Sequence, residues 1–264
     1  MITSLHSPHV EAVKALLGSR GGKARKESGQ YVIEGFSSIK EALDFSPEEI
    51  TTLYLTSDGM SRLATIPEGY FEIVEVSPEV MKAMTDTVTP QGLLAIAQIP
   101  ENSFADFLAA SKSELKIAYF WQIQDPGNAG TVIRSADAAG FDAVVFSTES
   151  VDVFNPKTVR ATVGSLWHIP VISDVDLNEF LEKAKEHNLE IYALAGDGKE
   201  SFDANFINTN GKKPAVWIFG NEARGLPDLD MKIKTVAIPM KGHAESLNVA
   251  SAAAIVLHSI GQAL

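Results

Sequence analysis

An α/β fold is predicted for this chain of 264 residues by three observations. Short apolar strands alternate with helical stretches in both halves. One strand, Ala215-Val216-Trp217-Ile218-Phe219, is apolar throughout, as strands buried on both faces of a parallel sheet are. Three Gly/Asn-rich breaks stand beside apolar segments in the second half: Gln124-Asp125-Pro126-Gly127-Asn128, Phe219-Gly220-Asn221-Glu222-Ala223-Arg224-Gly225, and Gly242-His243-Ala244-Glu245-Ser246-Leu247-Asn248. Strand ends running into such loops are where α/β proteins build ligand sites, so three of them suggest one composite pocket.

In the first half, Tyr31-Val32-Ile33 reads as a strand and 38–45 as a helix. Leu53-Tyr54-Leu55 is a second strand, and 71–76 alternates with period two, as a half-buried strand does. A short helix over 78–84 begins with Pro78, and the apolar run 93–97 closes the set. These elements define a first domain over 1–100. Ile99-Pro100-Glu101-Asn102-Ser103 carries linker punctuation, and 109–116 is polar and helix-prone, so 101–116 is taken as a linker.

The second domain spans 117–264. It opens with a strand at 117–121, and a helix over 131–139 ends at Gly140 in the usual C-terminal position. Strands follow at 143–146, 190–194, 215–219 and 235–238. Amphipathic 177–188 is a helix, and the small, apolar run 249–258 is another, able to lie close against a sheet. No internal repeat or low-complexity tract is evident.

The chain has no cysteine, which excludes disulfides, thiolate chemistry and cysteine-rich zinc sites and fits a reducing cytoplasm. No metal site is expected. Residues 1–14 hold no apolar core of signal-peptide length, and no apolar run is long enough for a membrane span. The net charge of −12 argues mildly against a nucleic-acid partner. Its distribution argues the other way: Lys14, Arg20, Lys23, Arg25 and Lys26 form a cluster uninterrupted by acids from 14 to 26. The glycines at 18, 21 and 22 suggest a loop rather than a rigid helix, either simply solvated or gripping phosphate.

In the first break, Asn128 sits where a helix N-cap would, and Arg134 lies within two turns of it, able to reach an anionic group there. The segment lacks the three-glycine spacing of a dinucleotide fingerprint, which counts against a nucleotide-dependent oxidoreductase. In the second, Gly220 permits close approach of a ligand, while Glu222 and Arg224 are either a solvated pair or crevice-facing charges. In the third, Ser246 or Asn248 caps the last helix.

Together these loops resemble the three signature motifs of the SpoU/TrmH-type RNA ribose 2′-O-methyltransferases of the SPOUT superfamily. Asn128, Gly130 and Arg134 match the first, Phe219-Gly220-Asn221-Glu222 with Gly225-Leu226 the second, and Ile238-Pro239-Met240 with Glu245-Ser246-Leu247-Asn248-Val249 the third. Asn155-Pro156-Lys157 and the stretch from Arg160 to Ser165 match as well. Residues 1–98, chiefly Tyr31-Val32-Ile33-Glu34-Gly35, are similar to the L30e-like substrate-binding domain that often precedes this catalytic domain.

The resemblance implies a methyltransferase domain with a C-terminal trefoil knot, S-adenosylmethionine as cofactor, and a homodimer acting on RNA. It assigns Gly220, Asn221, Ile238, Met240, Ser246 and Leu247 to the cofactor, and Arg134, Asn128, Glu222, Ser246 and Asn248 to catalysis. Lys14, Arg20, Lys23, Arg25, Lys26 and Arg160 are the candidate RNA contacts. Arg134 is either general base or phosphate anchor. A guanidinium normally keeps its proton, which favours the anchor. Ribosomal RNA is favoured over transfer RNA as substrate. A non-catalytic RNA-binding assembly factor is the alternative from another class.

Overall fold

A computed structural model describes residues 1–63, 65–67, 69–111, 114–221, 224–227 and 233–263. By internal contacts the chain forms two compact units, Met1–Glu101 with Asp152–His168, and Asn102–Val151 with Ile169–Leu264. In chain order the first unit runs α1 (Pro8–Leu17), α2 (Gly21–Ser28), β1 (Gln30–Glu34), α3 (Phe36–Phe45), β2 (Ile50–Leu55), α4 (Ser57–Arg62), β3 (Glu72–Glu75), α5 (Pro78–Met84) and β4 (Leu93–Gln98). The second unit begins with α6 (Phe104–Ala110), β5 (Lys116–Phe120), α7 (Pro126–Ala138) and β6 (Ala143–Ser147). The helix α8 (Pro156–Thr162) then belongs to the first unit. The second is completed by β7 (Val171–Val175), α9 (Leu177–Glu186), β8 (Glu190–Leu194), β9 (Glu200–Ser201), α10 (Ala204–Asn210), β10 (Ala215–Phe219), β11 (Lys234–Ala237) and α11 (Val249–Gly261).

The first unit's sheet has the order β1-β4-β2-β3, with β3 parallel to β2 and the other pairings antiparallel. Val32, Tyr54, Leu94 and Ile96 on its strands pack against Val10, Val13 and Leu16 of α1 and Val80, Met81 and Met84 of α5. The segment 152–168 is fastened to this unit by charge and ring contacts. Arg160 pairs with the buried Glu34 at 2.6 Å, and Phe154 lies 4.9 Å from the Tyr31 ring. Burial raises the Glu34 carboxyl, while the Asp86 backbone N–H and the Arg160 charge oppose that rise.

At Glu49, burial and a like charge act in the same direction. Burial, and then the neighbouring Glu48, push its pKa up to about 7 from an ordinary 4.5. The folded chain therefore holds a proton that the unfolded chain releases between those values. The resulting stabilisation is complete below pH 4.5 and is lost as pH rises through about 7. Glu49→Gln should flatten this slope and gain about 1 kcal/mol over the parent at pH 8, after allowance for solvent screening. Denaturant melts at pH 4.5 and 8 measure it.

The second unit carries a seven-stranded sheet of order β7-β6-β5-β10-β8-β11-β9. Each recorded pairing in it is parallel. The central strands β5, β6 and β10 are buried at every position, which is why they read as unbroken apolar runs. Phe120 stacks on Phe219 at 4.8 Å, and Phe180 of α9 packs on Tyr119 and Phe104. With parallel strands, all the C-terminal ends lie on one edge of the sheet, and the three Gly/Asn-rich loops follow such ends.

Several expectations are corrected. The stretch read as a linker contains α6, whose Phe104 and Leu108, one turn apart, are buried in the core, while the Ser103 hydroxyl accepts from Asp106 N–H. Lys116 already belongs to β5. Helix α7 begins at Pro126 with Asp125 as N-cap, accepting from the Asn128 N–H at 2.8 Å, so Asn128 lies inside the first turn. The glycine-rich segment read as a loop enters helix α2 at Gly21. Arg25, expected to offer its charge to RNA, is only 4% exposed and is bound to Asp152. Arg160, another candidate RNA contact, engages Glu34.

Candidate functional site

The loops after β8, β10 and β11 enclose a cleft of about 790 Å³ at the C-terminal edge of the parallel sheet. Its floor includes Leu194, Phe219 and Val236 from the strand ends. Ile238, Met240, Ser246 and Leu247 come from the third loop, and Gly220 and Asn221 from the second. Every candidate cofactor residue therefore lines this one cleft. Its walls mix the apolar Leu226, Ile233 and Val249 with the charged Asp197, Lys199, Arg224 and Glu245.

The second loop is a tight backbone turn. Asn221 and Gly225 exchange N–H···O bonds of 2.9 Å in both directions, and the Asn221 side chain accepts from Arg224 N–H. A Cβ on Gly220 would stand 2.6 Å from the Gly225 carbonyl carbon and 2.7 Å from its oxygen, so only glycine fits. The same Asn221 donates its amide to Gln122 O at 2.7 Å, tying the second loop to the first. Glu222 lies outside the described residues.

The first and third loops meet through side chains. Asn248 donates from Nδ2 to Asn128 Oδ1 at 3.2 Å, while its own Oδ1 accepts from Ala250 and Ser251 N–H and caps α11. Asn248 is thus both the cap and the bridge to α7. The helices carrying these residues are packed closely: a Cβ on Gly261 of α11 would meet the Ala139 carbonyl oxygen at 2.4 Å. Arg134 is exposed on α7, and Ser246 is exposed beside the cleft. The first loop is braced from below: Gln122 donates to Glu149 at 2.7 Å, Gln124 donates to Glu149 O at 2.7 Å, and Val151 N–H donates to Ile123 O at 2.8 Å.

The loop Ala195-Gly196-Asp197-Gly198-Lys199 was not singled out from the sequence, although it supplies one wall of the cleft. Its signal is a Gly-rich break after the apolar run 190–194, but it carries no asparagine and no known motif. Among the candidate RNA contacts, Lys14, Arg20, Lys23 and Lys26 are exposed on or beside α1 and α2. Among the described residues there is no group of acidic and histidine side chains able to hold a metal ion. No described helix is long and apolar enough to cross a membrane.

A seven-stranded parallel sheet with a cleft formed by its C-terminal loops defines an α/β ligand-binding domain. Comparison with known proteins names the family. The sequence profile of the SpoU rRNA methylase family matches residues 116–258, and that of the MRM3-like substrate binding domain matches residues 8–95. The chain belongs to the SpoU rRNA methylase family. It is 33% identical over 241 residues to the 23S rRNA (guanosine(2553)-2′-O)-methyltransferase RlmP of Bacillus subtilis, covering 90% of this chain and 91% of that protein. It is 28% identical over 256 residues to a 23S rRNA (uridine(2479)-2′-O)-methyltransferase of Streptomyces viridochromogenes, covering 93% and 86%. The AdoMet-bound rRNA methyltransferase of Sinorhizobium meliloti superposes with a TM-score of 0.85 at 30% identity, covering 99% of this chain and 97% of that one. The fold is that of the SPOUT methyltransferases, preceded by a small α/β substrate-binding domain.

Proposed function

We propose that this chain transfers a methyl group from S-adenosylmethionine to a ribose 2′-hydroxyl of 23S ribosomal RNA. The observation that carries this reading is the gathering of every candidate cofactor residue on one cleft, with the Asn248–Asn128 and Asn221–Gln122 hydrogen bonds tying the neighbouring first loop to the loops that line it. The second unit carries out transfer, and residues 1–100 hold the RNA. The protein works in the cytoplasm as a homodimer, with the chain beyond β11 tied in a trefoil knot.

The cleft fits the cofactor. Its volume of about 790 Å³ is within the range of pockets for ligands of that size, roughly 300–1,000 Å³. Gly196 and Gly225 leave open space where a side chain would begin, with no heavy atom within 4 Å of either imagined Cβ. Gly220, Asn221, Ile238, Met240, Ser246 and Leu247 would hold the cofactor, whose bound sulfonium supplies an electrophilic methyl.

The protein's part is to position the acceptor oxygen and to offset charge as it develops. Arg134 is the phosphate anchor: an exposed guanidinium presents a planar fork of donors that matches phosphate oxygens. Asn128 and Asn248 orient the acceptor by hydrogen bonding, Ser246 holds the third loop, and Glu222 organises the site. Lys14, Arg20, Lys23 and Lys26 attract the RNA backbone despite the net charge of −12.

The reading is tested by mapping 2′-O-methyl positions in total RNA from cells with and without the gene. A single 23S position that loses its methyl group supports it. Loss confined to transfer RNA moves the substrate. An unchanged map, with tight RNA binding by the purified protein, favours an assembly factor.

A further inference from the structure

The turn after β8 is pinned in place. Gly198 N–H donates to Ala195 O at 3.1 Å, which closes a turn with Gly196 and Asp197 at its corner. Both arms of the turn are fastened to β11: Ala195 N–H donates to Val236 O at 3.0 Å, and Lys199 N–H donates to Thr235 Oγ1 at 3.2 Å. Gly198 lets the turn lie directly on that strand, since a Cβ there would stand 2.5 Å from the Val236 carbonyl carbon and 2.6 Å from Ala237 N. Gly196, by contrast, lines the cleft and has no heavy atom within 4 Å of an imagined Cβ. The turn is fixed where it meets the strand and leaves space where it meets the cleft.

Asp197 stands at the corner of this turn, exposed and lining the cleft. Among the described residues its carboxylate has no hydrogen-bond or ion-pair partner. Strand β8 lies directly beside β10, so Asp197 follows the strand next to the one that ends in the Gly220 turn. Doubly wound sheets that bind dinucleotides divide the work in this way: a tight glycine turn admits the ligand to the backbone, and an acid further on accepts from the ribose hydroxyl. The chemistry fits a ribose. Its two neighbouring hydroxyls are both donors, and an ionised carboxylate is an acceptor with two oxygens. The apolar Leu226, Ile233 and Val249 of the same cleft suit a base, whereas the carboxylate of an amino-acid tail would be repelled by Asp197 and drawn to a cation such as Arg224.

We propose that Asp197 binds the ribose of S-adenosylmethionine, its carboxylate accepting from the 2′- and 3′-hydroxyls. This rests on the functional reading above and names the residue that recognises the sugar of the cofactor. Asp197 takes no part in moving the methyl group or a proton; it sets cofactor affinity and selects a ribonucleoside. The turn, β10, β11 and the cleft all belong to the second unit.

The test is calorimetry on the full-length protein and its variants Asp197→Ala and Asp197→Asn. The ligands are S-adenosylhomocysteine, 5′-methylthioadenosine, which lacks the amino-acid tail, and 5′-methylthio-2′,3′-dideoxyadenosine, which also lacks both hydroxyls. Asp197→Ala should weaken the first two by ten- to a hundredfold, as loss of hydrogen bonds to a charged group does, and leave the third within about twofold. The parent should bind the dideoxy ligand about as weakly as Asp197→Ala binds 5′-methylthioadenosine. Asp197→Asn, which keeps one acceptor oxygen, should fall between. A loss for S-adenosylhomocysteine with none for 5′-methylthioadenosine would move Asp197 to the ammonium of the tail and overturn the proposal. Equal losses for all three ligands, or no loss for any, would overturn it too. Should Asp197→Ala fail to fold, Asp197→Asn and the parent's own discrimination against the dideoxy ligand decide. A parent chain that binds none of the three sinks the functional reading and this proposal together; a parent that binds all three alike sinks this proposal alone.

Discussion

Arg134→Ala should lower methyl transfer by about a thousandfold while S-adenosylmethionine binding stays within about twofold. The expectation follows from where the side chain stands. Arg134 is exposed on α7 and is absent from the cleft lining, so truncating it removes nothing that faces the cofactor. Helix α7 is held firmly by the Asp125 cap, by Asn248 across the loop and by the close passage of Gly261 over Ala139. The site thus loses a guanidinium without losing its frame. Arg134→Lys separates the two candidate roles. A phosphate anchor keeps a point charge but loses the bidentate fork, so activity returns in part and the pH profile keeps its shape. A general base would instead bring in the lower pKa of lysine and shift the alkaline limb of the profile. Single-turnover rates and cofactor titrations of both variants settle the matter; equal losses of rate and cofactor affinity would remove Arg134 from the acceptor side.

Gly220→Ala should weaken S-adenosylmethionine binding by ten- to a hundredfold. The added carbon would sit within 2.7 Å of the Gly225 carbonyl and 2.9 Å of Leu226 N. The three nearest atoms are all backbone, so no flexible side chain can yield there. Overpacking of this kind costs about 1–3 kcal/mol, which converts to about that range of affinity when the displaced turn is the binding wall. The turn also carries Asn221, whose amide reaches Gln122 O, so the disturbance passes to the first loop as well. Calorimetry gives the affinity. A variant that binds as the parent does would mean that the second loop forms no part of the cofactor site.

The strands were the most legible part of the chain. β5, β6 and β10 are buried at every residue, and their unbroken apolar runs left little else for them to be. The loops of the cleft were legible too, because glycine and asparagine at strand ends mark places where backbone must turn sharply. Helix starts were harder. Asn128 and Asp125 are both good caps, and the Pro126 that follows Asp125 decides between them through its preference for the first helical turn. Helix α2 was misread because its order comes from Arg25 and from Asp152, 127 residues further on. The grouping of 152–168 with the first unit was hidden for the same reason: the Glu34–Arg160 pair spans 126 residues, and local periodicity carries no trace of a partner that distant. The wall contributed by 195–199 escaped notice because its role depends on β8 lying between β10 and β11 in the sheet, which chain order does not reveal.

The most direct test of the cleft is a crystal of the protein grown with S-adenosylmethionine. Density for the cofactor should lie among the loops after β8, β10 and β11, with its sulfonium methyl facing Asn128 and Arg134. Density elsewhere on the chain, or a methyl group turned away from α7, would contradict the assignment.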